Sequence, residues 1–334
     1  MERVSADAGA SRNLGVGVLV LLLALVTVCI GSLLIGSTSV SPAALLDPDH
    51  ADRAVIIKRW DRTLLGLLVG AAFALAGACM QGLTRNPLAD PGLLGVNAGA
   101  SFGIVTAIAW LGASSALSYL WFGLLGAAVA TVVVHLVASF GRLGATPAKL
   151  AVAGAALSAG VGSWTTAVLL TDQGTFDQIR RWQVGSVAGR PDEVLMTCLP
   201  FLAVGGLIAL ASIRILNALA LGEDLARGLG RRTARDRLLV GAAIVLLAGA
   251  GTAVAGPIAF IGLIVPHLVR ALVGPDYSRV LPFSLGYGAV LVVASDTVGR
   301  VVLPPGEVPV GVMATVIGVP VFLWLVARRR MGGL

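Results

Sequence analysis

The strongest constraint on this chain is a series of ten apolar stretches, each about the 20 residues that a helix needs to cross a bilayer. They lie near 14–36, 63–83, 93–111, 118–140, 149–170, 194–215, 237–254, 256–273, 281–300 and 309–327. Only 12% of the 334 residues are charged and 57% are hydrophobic, whereas a soluble domain is about one quarter charged. We therefore predict an all-α polytopic membrane protein of about ten transmembrane helices, formed as one transmembrane domain over residues 1–334.

The distribution of basic residues predicts the orientation in the membrane. Arg and Lys are enriched in cytoplasmic loops, and a cytoplasmic N-terminus gives the inner segments about twice as many of them as the outer segments. An even number of spans puts both termini on one side, so we expect both in the cytoplasm. The segment 171–193 is then an outer loop with a short surface helix, and 216–237 is an inner connector.

Several classes of function lack their sequence signature. There is no G-x-x-x-x-G-K-[ST] phosphate loop, so any ATP is hydrolysed by another chain. The motifs H-E-x-x-H and G-x-S-x-G are absent, and His50, His135 and His267 lack the spacing of metal ligands. No basic stripe with interleaved aromatic residues suggests nucleic acid. We expect no catalytic residue, no metal site and no cofactor bound by this chain.

The inner sequence "ALGEDLARGLG", residues 220–230, has the spacing of a short amphipathic helix. Its apolar positions are Leu221, Leu225, Ala226 and Leu229, and its polar positions are Glu223, Asp224 and Arg227. The pattern alone leaves two interpretations open. The helix is either a connector that lies on the membrane face or an element that docks into the groove of a cytosolic partner.

Two charges fall inside the ninth span. Asp296 and Arg300 are four residues apart and can pair on one helix face, which favours a structural ion pair near the outer end of that span. No series of ionisable residues crosses the other spans, and a proton-coupled carrier would need one.

The turn between the second and third spans is proline-rich and charged. We expect Arg85 to anchor it on the inner side, Asn86–Pro87 to end the second span, and Pro91 with Gly92 to start the third. The small residues Gly95, Ala98 and Gly99 would let the third helix approach its neighbours closely.

Five stretches in this order resemble one family of proteins, the permeases of ATP-binding-cassette (ABC) importers for iron–siderophore complexes, haem and vitamin B12. They are "RNPLADPGLLGVNAGA" (85–100), "ALGEDLARGLG" (220–230), "GPIAFIGLIVPHLVR" (256–270), "SDTVGR" (295–300) and "EVPVGVMATVIGVPVF" (307–322). The stretches "LTRNPLADPGLLGVNAGAS" and "DQIRRWQVGS" are most similar to the ferric-enterobactin permeases of that family.

The resemblance implies a ten-helix type II ABC importer permease in a bacterial cytoplasmic membrane, which carries a ferric siderophore by alternating access. It implies a second permease subunit, with a heterodimer favoured over a homodimer. It also implies two cytosolic ATPase subunits that bind ATP–Mg, and an extracytoplasmic binding protein. The chain itself would have no enzymatic activity.

The resemblance assigns residues to two of these interfaces. The coupling to the ATPase would use Leu221, Gly222, Glu223, Asp224, Ala226, Arg227, Leu229 and Gly230. The docked binding protein would place carboxylates on Arg59, Arg62 and Arg300. Asp61 stands where the family usually has proline, and it could pair with a neighbouring arginine and weaken that docking.

The resemblance also assigns the transport path to the fifth span and the outer segment after it. The gate and pathway candidates are Thr146, Pro147, Ala148, Gln173, Gln183, Gly185 and Ser186. Pro147 and Ala148 stand where related permeases have small hydroxyl residues.

Other functions remain as alternatives. Vitamin B12 or haem would suit the same weakly polar path as a ferric siderophore. A secondary carrier driven by an ion gradient would suit broken helices. Such a carrier should have acidic coupling residues within its spans, and Asp296 is the only acidic residue in a predicted span. An intramembrane enzyme would need a paired nucleophile and base, and none occurs at helical spacing.

Overall fold

The computed structural model describes residues 2–140 and 146–331, except the side chains of 2–13, 147, 177, 178, 181, 325, 326 and 328–331. Within these ranges the chain forms thirteen α-helices and no β-strand. The helices are α1 (Glu2–Leu34), α2 (Arg53–Thr84), α3 (Val96–Leu111), α4 (Ala116–Ser139), α5 (Pro147–Thr171), α6 (Gln173–Gln183), α7 (Asp192–Ala211), α8 (Ile213–Ala220), α9 (Glu223–Gly228), α10 (Thr233–Ala255), α11 (Ile261–Val273), α12 (Tyr277–Val302) and α13 (Val310–Met331).

Ten of these helices match the ten apolar stretches of the sequence one for one. Seven are long and apolar enough to cross a membrane: α1, α2, α4, α5, α7, α10 and α12. The other three, α3, α11 and α13, are apolar but shorter. The prediction of an all-α polytopic membrane protein is confirmed.

Helix α2 lies at the centre of the bundle, where it packs against α12, α10 and α11. Glycines set the closest approaches. A Cβ atom at Gly70 would collide with the backbone of Gly288 on α12, and one at Gly77 would collide with the backbone of Gly262 on α11. Small residues at these crossings let helix backbones pack directly, which is how helices associate where water supplies no hydrophobic driving force.

The third span begins later than the sequence suggests. Arg85 caps the end of α2 in the left-handed conformation, and the Asp90 side chain accepts a hydrogen bond from the Gly92 amide at 2.8 Å. That cap starts a 3₁₀ turn, Pro91–Leu94, and Gly95 at φ 74° separates the turn from α3. The prediction that Pro91 starts the third span is therefore wrong.

The prediction that small residues let the third helix approach its neighbours holds at Gly99, which packs closely against Gly126 of α4.

Two other boundaries also differ from expectation. The predicted span 256–273 starts only at Ile261, because Gly256 and Phe260 have φ values of 77° and 70° that a helix cannot contain. The predicted span 194–215 ends at Ala211, and the chain turns at Ser212 into the separate helix α8.

Helices α2 and α12 run antiparallel and define two ends of the bundle. Arg62 and Arg300 lie close together at one end, which we call the arginine end. At the opposite end, the connector end, Gly82 of α2 lies against Tyr277 of α12. There Asn217 of α8 also donates a hydrogen bond to Asp276 at 2.8 Å.

Candidate functional site

One carboxylate connects the two arginines at the arginine end. The Arg62 Nε and Nη2 atoms donate to the two oxygens of Asp296 at 2.9 and 2.8 Å. Arg300 Nε donates to the same carboxylate at 3.0 Å. The second acid of the cluster is Glu307, whose Oε2 accepts from Arg62 Nη1 at 2.6 Å. The expected pair between Asp296 and Arg300 is thus present, and it is part of a larger network.

The other arginine contacts tie the end of α1 into this network. Arg300 Nη1 donates to the Ser32 carbonyl at 2.8 Å, and the Ser32 and Thr63 hydroxyls are hydrogen-bonded at 2.7 Å. Arg59 donates to the carbonyls of Leu33, Leu34 and Thr38 at 2.7–3.0 Å. A guanidinium suits this position because the last carbonyls of a helix have no partner within the helix.

The three arginines assigned to docking are thus bound within their own chain. Arg300 is 2% exposed and Arg59 8% exposed, whereas the side chain of Arg62 is 15% exposed beside the more open Glu307. Arg62 pairs with Asp296 and Glu307 rather than with its neighbour Asp61. Their role in docking remains a prediction, and an incoming carboxylate could reach Arg62 most readily.

These arginines line a cavity of about 520 Å³ at the arginine end. Its charged lining residues are five basic and two acidic, namely Lys58, Arg59, Arg62, Arg190, Arg300, Asp61 and Glu307. Even with Asp296 added, basic groups outnumber acidic ones. The cavity is therefore an electropositive site suited to carboxylates or other anions.

At the connector end, α9 and the residues that flank it carry an exposed apolar stripe. Leu221, Leu225 and Leu229 are 60%, 62% and 66% exposed, whereas Ala226 is fully buried beneath them. Gly222, at φ 110°, makes the turn between α8 and α9, and Gly230, at φ 79°, follows the helix. The leucines therefore face away from the bundle, and the predicted amphipathic helix is present with its apolar face uncovered in this chain.

Glu223, on the polar side of α9, is bonded to the start of α10. Glu223 accepts hydrogen bonds from Arg227 at 2.7 Å and from Arg237 at 2.8 Å, and it lies 3.3 Å from the Thr233 hydroxyl. Burial raises the pKa of Glu223, but the charges of Arg237 and Arg227 outweigh burial and hold that pKa below its ordinary value. Glu223 therefore fixes α9 against the start of α10. Its predicted contact with an ATPase is not tested by this geometry.

Helix α5 has one long exposed face made mostly of small residues. Its exposed small residues are Ala155, Ala156, Ala159, Gly160, Gly162, Ser163, Thr166 and Ala167. Apart from the glycine, its chain neighbours and the nearby backbone of α5, no described atom lies within 4 Å of where a Cβ atom at Gly160 or Gly162 would be. This is the face that a wide, weakly polar path would need, and its assignment to the path remains a prediction.

The pathway candidates after α5 fall into two groups. Gln173 and Gln183, at the two ends of α6, are exposed. Gly185 and Ser186 instead anchor the following loop: the Ser186 amide donates to the Ala255 carbonyl at 2.6 Å, and the Gly185 carbonyl accepts from the Gly311 amide at 3.1 Å. These two residues position the loop through their backbones.

The gate candidates lie at the start of α5. The Thr146 hydroxyl caps the helix by accepting from the Lys149 amide at 3.4 Å, and Lys149 Nζ donates to the Phe140 carbonyl at 2.9 Å. Ala148 is exposed, while the side chain of Pro147 lies outside the described part of the chain. Thr146 thus has a structural role as a cap, and a gating role is untested.

Sequence reasoning missed three charged members of the basic cavity, Lys58, Arg190 and Glu307. Arg190 and Glu307 lie in connecting segments far along the chain from α2, so no local spacing links them to Arg59 or Arg62. The available signals were that Lys58 directly precedes Arg59 and that Glu307 begins one of the family-like stretches.

Comparison with known proteins agrees with the resemblance. The model of the FecCD transport family matches residues 19–328. The chain is 46% identical over 277 residues to the probable siderophore transport system permease protein YfiZ of Bacillus subtilis, covering 82% of this chain and 83% of that protein. It is 44% identical over 336 residues to the ferric enterobactin transport system permease protein FepD of Escherichia coli, covering 99% and 100%.

A solved structure supports the same fold. It is a transporter assigned to the metal-chelate ABC type in an inward-facing conformation, with a TM-score of 0.83 and 30% sequence identity. The match covers 92% of this chain and 97% of that chain. This chain belongs to the FecCD transport family.

Proposed function

We propose that this chain is the membrane permease subunit of an ABC importer that carries ferric siderophores across the bacterial cytoplasmic membrane. The exposed leucine stripe of α9 carries the ATP-driven part of the proposal. Leu225 on α9 and its flanking residues Leu221 and Leu229 are each at least 60% exposed at the connector end of the bundle, where a protein partner would cover them. The class of cargo is inferred from the names of the two relatives, a siderophore permease and a ferric enterobactin permease.

Coupling follows from how α9 is held. Glu223 ties the helix to Arg237 of α10, and at the other end of α10 the Ala255 carbonyl accepts from the Ser186 amide of the loop after α6. A cytosolic ATPase that moves α9 would therefore act on a helix whose other end holds that loop. ATP–Mg would be bound and hydrolysed by that partner.

The transport path would lie between this chain and a second permease subunit, along the small-residue face of α5. A ferric siderophore already coordinates its iron, so the path needs width and weak contacts rather than metal ligands. The described residues contain no cluster of His, Cys, Asp and Glu that could hold a metal ion. A heterodimer is the form that the enterobactin-like sequence features favour.

The basic cavity would receive the extracytoplasmic binding protein, which places the arginine end outside and the connector end in the cytoplasm. Both termini would then be cytoplasmic. Docking at one end and ATP binding at the other would shift the permease pair between outward- and inward-facing states, because each partner binds one state more tightly.

The test is uptake of iron-labelled siderophores by cells that lack this chain, with and without the wild-type gene restored. Restored uptake that requires cellular ATP, and that persists when a protonophore removes the proton gradient, supports the proposal. Uptake that stops with the proton gradient while ATP is maintained would indicate a secondary carrier. If the wild-type gene restores uptake of vitamin B12 or haem but of no siderophore, that compound replaces the ferric siderophore as the proposed cargo.

A further inference from the structure

A second cavity, of about 480 Å³, lies between α4 and α10, and we call it the α4–α10 groove. The described residues that line it are apolar except for Thr131, His135 and Arg237. Three buried leucines form its floor, namely Leu83, Leu94 and Leu150. A lining of this kind fits a hydrocarbon chain rather than a polar solute.

The groove exists because α4 and α10 pack closely over only part of their length. A Cβ atom at Gly123 of α4 would lie 2.9 Å from the Cβ atom of Ala253, near the last turn of α10. The groove occupies the opposite halves of both helices, 128–136 of α4 and 237–246 of α10. Because Arg237 is bonded to Glu223, these halves lie towards the connector end.

The length of the groove matches one leaflet of a bilayer. Its lining on α10 runs from Arg237 to Leu246, which is about 14 Å along a helix. The hydrocarbon core of a bilayer is about 30 Å thick, so one leaflet contributes about 15 Å. The charged residue of the lining, Arg237, therefore lies where the hydrocarbon of that leaflet would meet its headgroups.

Large apolar side chains border the groove on the surface of the bundle. Val132, Leu136 and Leu238 are 56%, 58% and 59% exposed, and they lie on two helices long and apolar enough to cross a membrane. The second permease subunit is assigned above to the small-residue face of α5, which is a different surface. The groove therefore opens towards the acyl chains of the bilayer.

Basic residues surround the connector end of the groove. Arg237 lines it. Arg235 is exposed, and it lies on the same face of α10 as the lining residue Ala242, seven positions further on. Lys149 directly precedes Leu150 of the floor. The phosphate of a lipid whose chain fills the groove would therefore lie among cationic side chains.

The acidic groups at the start of α10 leave this positive charge in excess. Asp236 accepts from Arg231 at 3.0 Å, and Glu223 is shared between Arg227 and Arg237. Basic pockets between transmembrane helices are typical sites for the headgroups of anionic lipids. The charges therefore favour an anionic lipid over a zwitterionic one.

We infer that the α4–α10 groove binds one anionic phospholipid, with an acyl chain between the two helices and the phosphate beside Arg235 and Arg237. The inference goes beyond the proposed function, because it requires only that the chain spans a membrane. Arg237 also donates to Glu223 of the coupling segment at 2.8 Å. The bound phosphate would therefore contact the residue that fixes α9 to the bundle.

The experiment measures lipid binding to the complete transport complex in detergent by native mass spectrometry. The probes are phosphatidylglycerol and phosphatidylethanolamine with identical acyl chains, so that they differ in the net charge of the headgroup. We expect the wild-type complex to bind phosphatidylglycerol at least about tenfold more tightly, since each basic residue near the headgroup contributes about a factor of five. Arg235→Gln should lower that preference about fivefold.

Two further changes test the site of the acyl chain. Gly241 lines the groove, and a Cβ atom there would meet no described atom outside its own helix within 4 Å. Gly241→Leu should therefore fill the groove without displacing a helix, and it should weaken phosphatidylglycerol binding at least about tenfold. Ala242→Leu, at an exposed lining position, should have the same effect. Equal melting temperatures without added lipid show that the loss of binding is not a loss of folding.

Two matched controls keep the same chemistry away from the groove. Gly206 of α7 also has open space around its Cβ position and does not belong to the described lining, so Gly206→Leu should bind phosphatidylglycerol as the wild type does. Arg214 is an exposed arginine of α8, near the connector end but outside that lining. Arg214→Gln should leave the preference for phosphatidylglycerol unchanged.

Three outcomes would overturn the inference. Equal binding of the two lipids by the wild-type complex would remove the role of the basic residues. Unchanged phosphatidylglycerol binding by folded Gly241→Leu and Ala242→Leu would place the lipid elsewhere. A photocrosslinker at Leu136 that joins this chain to a protein subunit, rather than to a lipid, would show that a protein covers the groove.

Discussion

Arg62 of α2 and Asp296 of α12 form a two-pronged ion pair, with N–O distances of 2.8 and 2.9 Å, between helices that share the largest interface in the bundle. The same carboxylate binds Arg300, so one acid compensates two guanidiniums. The side chain of Asp296 is only 3% exposed. The stability of this end of the protein therefore depends strongly on a single charge.

The first prediction is that Asp296→Asn strongly destabilises the protein. The substitution leaves Arg62 with Glu307 alone and Arg300 without a counter-charge, and breaking a buried pair in this way costs about 3–5 kcal/mol. We expect a large fall in the melting temperature of the purified complex. Asp61→Asn is the control, because Asp61 lines the same cavity but pairs with neither arginine, and a comparable fall there would contradict the account.

The second prediction is that Glu307→Gln has little effect on stability. The side chain of Glu307 is 33% exposed and bonds only one arm of Arg62, so the loss should be about 1 kcal/mol or less. The freed arm of Arg62 should leave docking of the binding protein at least as tight as before. Weaker docking at an unchanged melting temperature would mean that Glu307 itself contacts the partner.

The third prediction concerns the crossing of α2 and α11. Gly77→Ala adds a Cβ atom against the backbone of Gly262, so the helices must separate, which should cost about 1–3 kcal/mol. Gly160→Ala adds the same atom to open space on α5 and should leave the melting temperature unchanged. Equal melting temperatures for Gly77→Ala and wild type would contradict the close packing described here.

The fourth prediction is a loosening of α9 in acid. Glu223 has a pKa below its ordinary value of 4.5, so its ion pairs stabilise the fold fully above that pH, and this stabilisation is lost as the pH falls through the lowered pKa. Amide hydrogen exchange in α9 should therefore accelerate as the pH falls below about 4.5, beyond the intrinsic change in rate. Glu223→Gln should show fast exchange at neutral pH already, and slow exchange in that variant would contradict the role of the ion pairs.

The helices could be predicted from the sequence because hydropathy over about 20 residues is a local property. The starts of α3 and α11 could not. Asp90 before Pro91 is as typical of a 3₁₀ turn as of an α-helix, and the left-handed conformation of Phe260 has no signal in its residue type. Both depend on packing around the turn.

The basic cavity was only partly predictable. Asp296 and Arg300 are four residues apart on one helix, so their pair could be inferred from spacing. The bond from Arg62 to Asp296 joins residues 234 positions apart, and only the antiparallel packing of α2 and α12 creates it. Burial of Arg300 likewise exists only in the folded chain.

The most direct test of the central claim is ATP-dependent siderophore uptake by proteoliposomes. They would contain this chain, its permease partner, the ATPase and the binding protein, with Leu225 of α9 changed to Asp or to Met. We expect wild type and Leu225→Met to import iron-labelled siderophore only when ATP is present on the side of the ATPase. The import rate of Leu225→Asp should fall at least about tenfold at equal stability, because the substitution places a charge in an apolar interface. Import by Leu225→Asp at the wild-type rate, or import without ATP under a proton gradient, would contradict an importer driven through α9.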